Sequence, residues 1–286
     1  MKKKLSAVRL YIRRHPFSAL TRAACTLSIA VAMFMLLYMV GDILIQGVPS
    51  LRLSLFEPVY TSDNQSMLPA IVNTLLITVM ALLFAVPLGV FGAVYLSEYA
   101  KRDSFIVKLV RVTAETLSGI PSILYGLFGM MFYVGALKLG LSLVSGALTL
   151  GIMVLPLVLR TAEEALLAVP DSYREGSFGL GAGRLRTVMK IVLPPASSGI
   201  LAGVMLSVGR IIGETAALIF TAGTFSQLPK NLLSSGRTLS VHMYVLSGEG
   251  LHIGEAYATA VVLLVLAASM NALSSALLKR LQGGQG

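Results

Sequence analysis

A single cysteine in 286 residues, Cys25, leaves no disulfide partner and no thiolate set for a metal. Tryptophan is absent, and the three histidines, His15, His242 and His252, lie far apart without helical ligand spacing, so no metal site is expected. Charge is scarce as well. Asp, Glu, Lys and Arg make up 13% of the chain against 56% hydrophobic residues, and the mean hydropathy is +0.82, which is too apolar for a water-soluble globule of this length. No glycine is followed by a lysine, so the GxxxxGK[ST] loop that cradles nucleotide phosphates is missing and this chain is not expected to bind ATP that way. Clustered His, Asp and Ser near one interface, as a membrane-embedded phosphatase would need, are also lacking, and no catalytic residue is assigned.

What the sequence does hold is long apolar runs. A membrane-spanning helix needs about 20 mostly apolar residues, because every backbone polar group must find its partner within the segment. Six segments qualify: 23–45, 70–96, 117–137, 147–169, 199–222 and 256–278. The third is interrupted by Gly119, Pro121, Gly126 and Gly129. The first exceeds the core of a secretory signal, about 7 to 15 residues, and is read as a span. The expected fold is all-α and polytopic. It divides into residues 1–69, a basic N-terminus with the first span and an external loop, and residues 70–286, five spans with a cytoplasmic loop at 170–198.

Net charge is +10, yet the basic residues are neither interleaved with aromatics nor gathered in one domain, which argues against nucleic acid. They sort by side of the membrane. With the N-terminus inside, seventeen Lys and Arg fall in cytoplasmic segments, from Lys2, Lys3, Lys4, Arg9, Arg13 and Arg14 through to Lys279 and Arg280. Four, Arg52, Lys138, Lys230 and Arg237, fall outside. This bias predicts both termini on the cytoplasmic side and an even number of spans.

Two basic residues fall within spans, Arg160 and Arg210. An arginine at a helix centre costs about 2.5 to 3.5 kcal/mol on insertion scales and marks a functional position. Arg210 lies eleven residues into the fifth span, and Glu214 follows one helical turn on. Ser207, Arg210, Glu214 and Thr221 recur at steps of three, four and seven, which on one helix makes a polar stripe. A guanidinium fork matches the oxygens of phosphate and keeps its charge, so the stripe reads as an anion path. The bland alternative is a neutralised pair that glues two helices. Gly199 with Gly203, and Gly209 with Gly213, are small-xxx-small pairs that let another helix approach. Arg160 and Glu164, four apart near the end of the fourth span, read as a local pair and a secondary candidate for the path.

The loop between the fourth and fifth spans reads Glu175-Gly176-Ser177, three residues, Gly181, nine residues, Ile191, one residue, Leu193-Pro194. A glycine break and a terminal proline make a compact knob on the membrane surface. This spacing resembles the E-A-A loop of the permeases of ATP-binding-cassette importers, with Gly-Ser in place of Ala-Ala. Within that group the likeness is to the phosphate permeases of the PstA type, carried by RIIGETAALIFTAG (210–223), SGIPSILYGLFG (118–129) and LPLVLRTAEEALLAVP (155–170).

The resemblance implies a type I importer permease in the bacterial inner membrane, with Arg210 and Glu214 on the path and the 170–198 loop docked on an ATPase. It implies a paralogous permease, a dimer of ATPases that bind the ATP, an extracytoplasmic phosphate-binding protein and inorganic phosphate as cargo. No cofactor is implied for this chain. Sulfate and molybdate permeases remain an alternative, although they carry an aromatic soon after the Gly-Glu of the fifth helix, where this chain has Thr215. An ion-coupled anion carrier without an ATPase is the rival from another class.

Overall fold

The structure, a computed structural model, describes residues 16–101 and 104–283. Lys2, Lys3, Lys4, Arg9, Arg13, Arg14 and Arg102 lie outside these residues. Among the described residues the chain is helical, without strands. Helix α1 runs Pro16–Gly47 and α2 runs Leu68–Val94, closing in a π-helical turn, Tyr95–Tyr99. Helices α3, Phe105–Ser118, and α4, Ser122–Gly129, follow, with α4 extended by a wide turn, Met130–Ala136. Then come α5, Leu143–Leu167, α6, Asp171–Gly179, α7, Arg184–Thr187, and α8, Leu193–Gly213. The last three are α9, Ala216–Thr221, α10, Leu239–Glu249, and α11, Ile253–Gly283.

Among the described residues five helical stretches are long and apolar enough to cross a membrane, and the count becomes six if one bent pair is taken as a single broken span. That pair is α3 and α4, joined at 102°. Gly119 and Pro121 break the helix there, as the glycines and proline of the third segment foretold. What the apolar run did not foretell is α3 itself. Ser104 caps it by accepting from Val107 N. Phe105, Ile106, Leu109 and Val112 stand exposed, while Arg111 reaches Glu163 at 2.6 Å. This is the pattern of a helix lying along the membrane surface.

The core is built where small residues let helices touch. Ile77, Ala81 and Ala85 of α2 pack with Leu150 and Val154 of α5, Ile211 of α8 and Leu218 of α9. A second cluster, with Ala93, Leu166 and Val192, closes the end that carries the basic loops, and a third, with Leu55, Met67 and Leu239, closes the far end. Helix α1 stands apart. Its apolar side chains such as Phe17, Leu27, Phe34 and Met39 are exposed, and among the described residues it meets the rest of the chain near its far end, where Gly47 lies against Tyr257 and Val261.

Candidate functional site

The fifth span is not one helix. Helix α8 ends at Gly213, Glu214 is extended (φ −74°, ψ 128°), and α9 restarts at Ala216. Helix α5 fixes the depth of this break. A Cβ on Gly199 would press on Ala165 and one on Gly203 on Thr161, while one on Gly146 would meet Ala222 and Leu218. The contacts of Gly199 with Ala165, Gly203 with Thr161 and Gly146 with Leu218 share one antiparallel register, which sets Arg210 level with Val154, close to the midpoint of α5. The broken backbone thus sits near mid-depth of the helix bundle.

Arg210 occupies the last turn of α8 and is half-buried. Among the described residues its side chain makes no hydrogen bond or ion pair. It lies close enough to Tyr125 of α4 for its charge to bear on the phenol. Glu214 does not pair with it. The Glu214 carboxylate accepts from Ala217 N at 3.1 Å and so caps α9, while its carbonyl accepts from the Ser240 hydroxyl at 2.6 Å.

The continuous stripe expected from spacing is therefore corrected. Ser207 and Thr221 are fully buried, and their hydroxyls donate to Gly203 O and Ala217 O of their own helices at 2.9 and 2.8 Å. Arg210 and Glu214 alone remain on the accessible side. The two glycine pairs also differ in kind. Gly199 and Gly203 pack against α5, whereas Gly209 and Gly213 are exposed with nothing of this chain within 4 Å of an added Cβ.

Arg160 and Glu164 do pair, at 3.0 Å, with side chains 60% and 63% exposed. Glu163 turns the other way to Arg111, which pins α3 to α5. The two pairs line one recess with Glu115, closer to the basic end than Arg210.

At that end the 170–198 loop forms the knob. Helix α6 ends on Gly181 in the left-handed region (φ +83°), a conformation glycine adopts without strain. The Ser177 and Thr187 hydroxyls, 2.8 Å apart, tie its two limbs together, which gives the serine in the Gly-Ser departure a structural use. Glu175, Gly176 and Gly181 are exposed, Ile191, Leu193 and Pro194 half-buried at the root. Between the limbs lies a surface hollow of about 610 Å³, lined by Tyr173, Gly176, Gly181, Arg186 and their neighbours. Leu180, 91% exposed, stands at its rim.

Spacing alone missed what anchors this knob. Arg174 reaches Glu98 at 2.7 Å through one terminal nitrogen and at 3.2 Å through Nε. It also donates to the backbone oxygens of Leu166 and Val169 at the end of α5, at 2.9 and 2.7 Å. The Glu98 hydrogen bond, opposed by burial, raises the Arg174 pKa above its ordinary value. No group of three or more His, Cys, Asp or Glu that could hold a metal occurs among the described residues.

Residues 85–283 match the family described as "Binding-protein-dependent transport system inner membrane component". The chain is 33% identical over 220 residues to the phosphate transport system permease protein PstA of Haemophilus influenzae, covering 76% of this chain and 77% of that protein. It is 35% identical over 192 residues to the probable ABC transporter permease protein YqgI of Bacillus subtilis, covering 63% of this chain and 65%, just under two thirds, of that protein. Among solved structures, a chain of a bacterial alginate ABC transporter in complex with its periplasmic protein superposes with a TM-score of 0.68 at 15% identity, covering 94% of this chain and 96% of that one.

Proposed function

The chain belongs to the family of inner-membrane components of binding-protein-dependent transport systems, and from that premise we propose that it is a permease subunit carrying inorganic phosphate in an ATP-driven importer. The observation that carries the reading is the mid-depth break. Irregular backbone at that depth is tolerated only where it is covered by protein or lines water, and an uncompensated arginine does not face lipid. Since Gly213 is exposed and Arg210 and Glu214 are only half-covered within this chain, they belong on a surface completed by a second permease and wetted between the two. This chain supplies half of a path.

The family and the fold imply an ATPase and a substrate-binding protein as partners. Our reading adds that the second permease is a paralogue, that two ATPases bind the ATP, and that the binding protein delivers phosphate. Arg210 offers a fork of donors to the oxyanion. One arginine without further cations holds it loosely, as passage requires. Glu214 keeps the positive end of α9 neutralised, so the site remains weak. The 170–198 knob receives the ATPase movement and Arg174 passes it to Glu98 and the end of α5. Phosphate is favoured over sulfate and molybdate by the PstA relatives.

Hydrogen bonds to a charged group contribute about 1.5 to 3 kcal/mol each, so losing a two-pronged contact lowers the rate by at least about 100-fold. In the complete importer in liposomes, Arg210→Ala is expected to cut labelled phosphate uptake by that factor while the subunits still copurify. Uptake at the normal rate would overturn the proposal.

A further inference from the structure

A second arginine at the far end of the bundle lacks a counter-charge. Arg237 precedes α10, is 5% exposed, and stacks its guanidinium 4.6 Å over the Tyr60 ring. No carboxylate lies within ion-pair distance among the described residues, and one of its terminal nitrogens is buried without a partner. Its backbone is held firmly: its N–H donates to Phe225 O at 2.9 Å, and Asn73 donates to its carbonyl at 3.1 Å.

Around the same ring stands His242, fully buried and edge-on to Tyr60 at 6.3 Å. Burial and then the nearby Arg237 charge lower its pKa to about 3, with the Gln65 backbone working weakly the other way. The imidazole is therefore neutral near pH 7, and neither ring nitrogen makes a hydrogen bond of ordinary geometry. Asn73, also fully buried, leaves its Oδ1 without a partner. An unpaired buried polar group costs about 1 to 3 kcal/mol and an unpaired charge more, so this combination is costly until a ligand or buried water completes it.

We propose that Arg237, His242 and Asn73 form an anion site that selects a protonated tetrahedral oxyanion, hydrogen phosphate being the type. Arg237 supplies the charge and neutral His242 one N–H donor. The positive end of α10, an eleven-residue helix beginning at Leu239, adds to the potential. Asn73 Oδ1 can only accept, and an acceptor discriminates: it takes the O–H of hydrogen phosphate and finds no proton on sulfate. A site built to hydrogen-bond a hydroxyl rejects the analogue that lacks it. Ser240, three residues on from Arg237 in the first turn of α10, bonds the carbonyl of Glu214, so α10 links this far-end site to the break. Its role as an entrance station to Arg210 rests on the phosphate-permease reading, whereas binding itself does not.

The test is equilibrium binding of labelled inorganic phosphate to the purified importer, without the binding protein, in an Arg210→Ala background, with sulfate as competitor. Saturable binding resisting a tenfold excess of sulfate is expected, weakened at least tenfold by adding Arg237→Gln and loosened in its phosphate preference by Asn73→Leu. Absence of binding in the Arg210→Ala importer, equal displacement by sulfate, or unchanged affinity after Arg237→Gln would each overturn the site. Should Arg237→Gln fail to fold, the Arg210→Ala binding and the sulfate competition still decide. Normal transport by Arg210→Ala would fell the midplane reading and leave this site standing.

Discussion

Arg174 joins three helices through one guanidinium, with Glu98 beyond the end of α2 on one side and the last carbonyls of α5 on the other. Its side chain is 14% exposed and that of Glu98 7%, so losing Glu98 removes its closest carboxylate partner and leaves Arg174 with Asp171 at 3.1 Å, a loss of about 1.5 to 3 kcal/mol. In the reconstituted importer, Glu98→Gln is expected to leave ATP hydrolysis running while phosphate moved per ATP falls several-fold; an unchanged ratio would show that the pair only braces the fold. Nothing in local spacing announces this contact, since the partners are 76 residues apart. Arg160 with Glu164 was readable because helical periodicity alone brings residues four apart together. The orphaned nitrogens of Arg237 and His242 were not, because burial is a property of the packed chain.

At the scale of the element, the two glycine pairs of α8 look alike in sequence and separate in the structure. A Cβ on Gly203 would run into Thr161, whereas Gly209 opens onto nothing of this chain. Overpacking costs about 1 to 3 kcal/mol. Gly203→Val is expected to lower the melting temperature of the purified subunit and Gly209→Val to leave it unchanged; equal effects would mean that α5 and α8 are not in the register described. Helix ends were legible where chemistry marks them, as at Gly119-Ile120-Pro121 and at Gly181. The break after Gly213 was not, because the apolar run resumes at once and hydropathy counts composition rather than hydrogen bonds. Glu214 holds that break by capping α9 instead of extending α8.

For the whole molecule, the apolar character and a count of five to six crossings followed from hydropathy, because lipid demands closed helices. What hydropathy cannot reveal is which surfaces this chain leaves for another. On the importer reading, the half-covered rim at Arg210 is of that kind, while exposed apolar side chains of α1 such as Phe34 and Leu37 face lipid or another subunit. This chain alone in liposomes, even under an ion gradient, is expected to take up no phosphate; uptake there would support a carrier that needs no ATPase.

The shared register along α5 sets a mechanical limit on any such cycle. Helix α5 is a rail spliced across the gap, gripping α8 on one side of the interruption and α9 on the other. On the importer reading, the two pieces move together with that rail, and access alternates by tilting the riveted assembly as a plate against its neighbour, with the gap carried along as a notch in its edge.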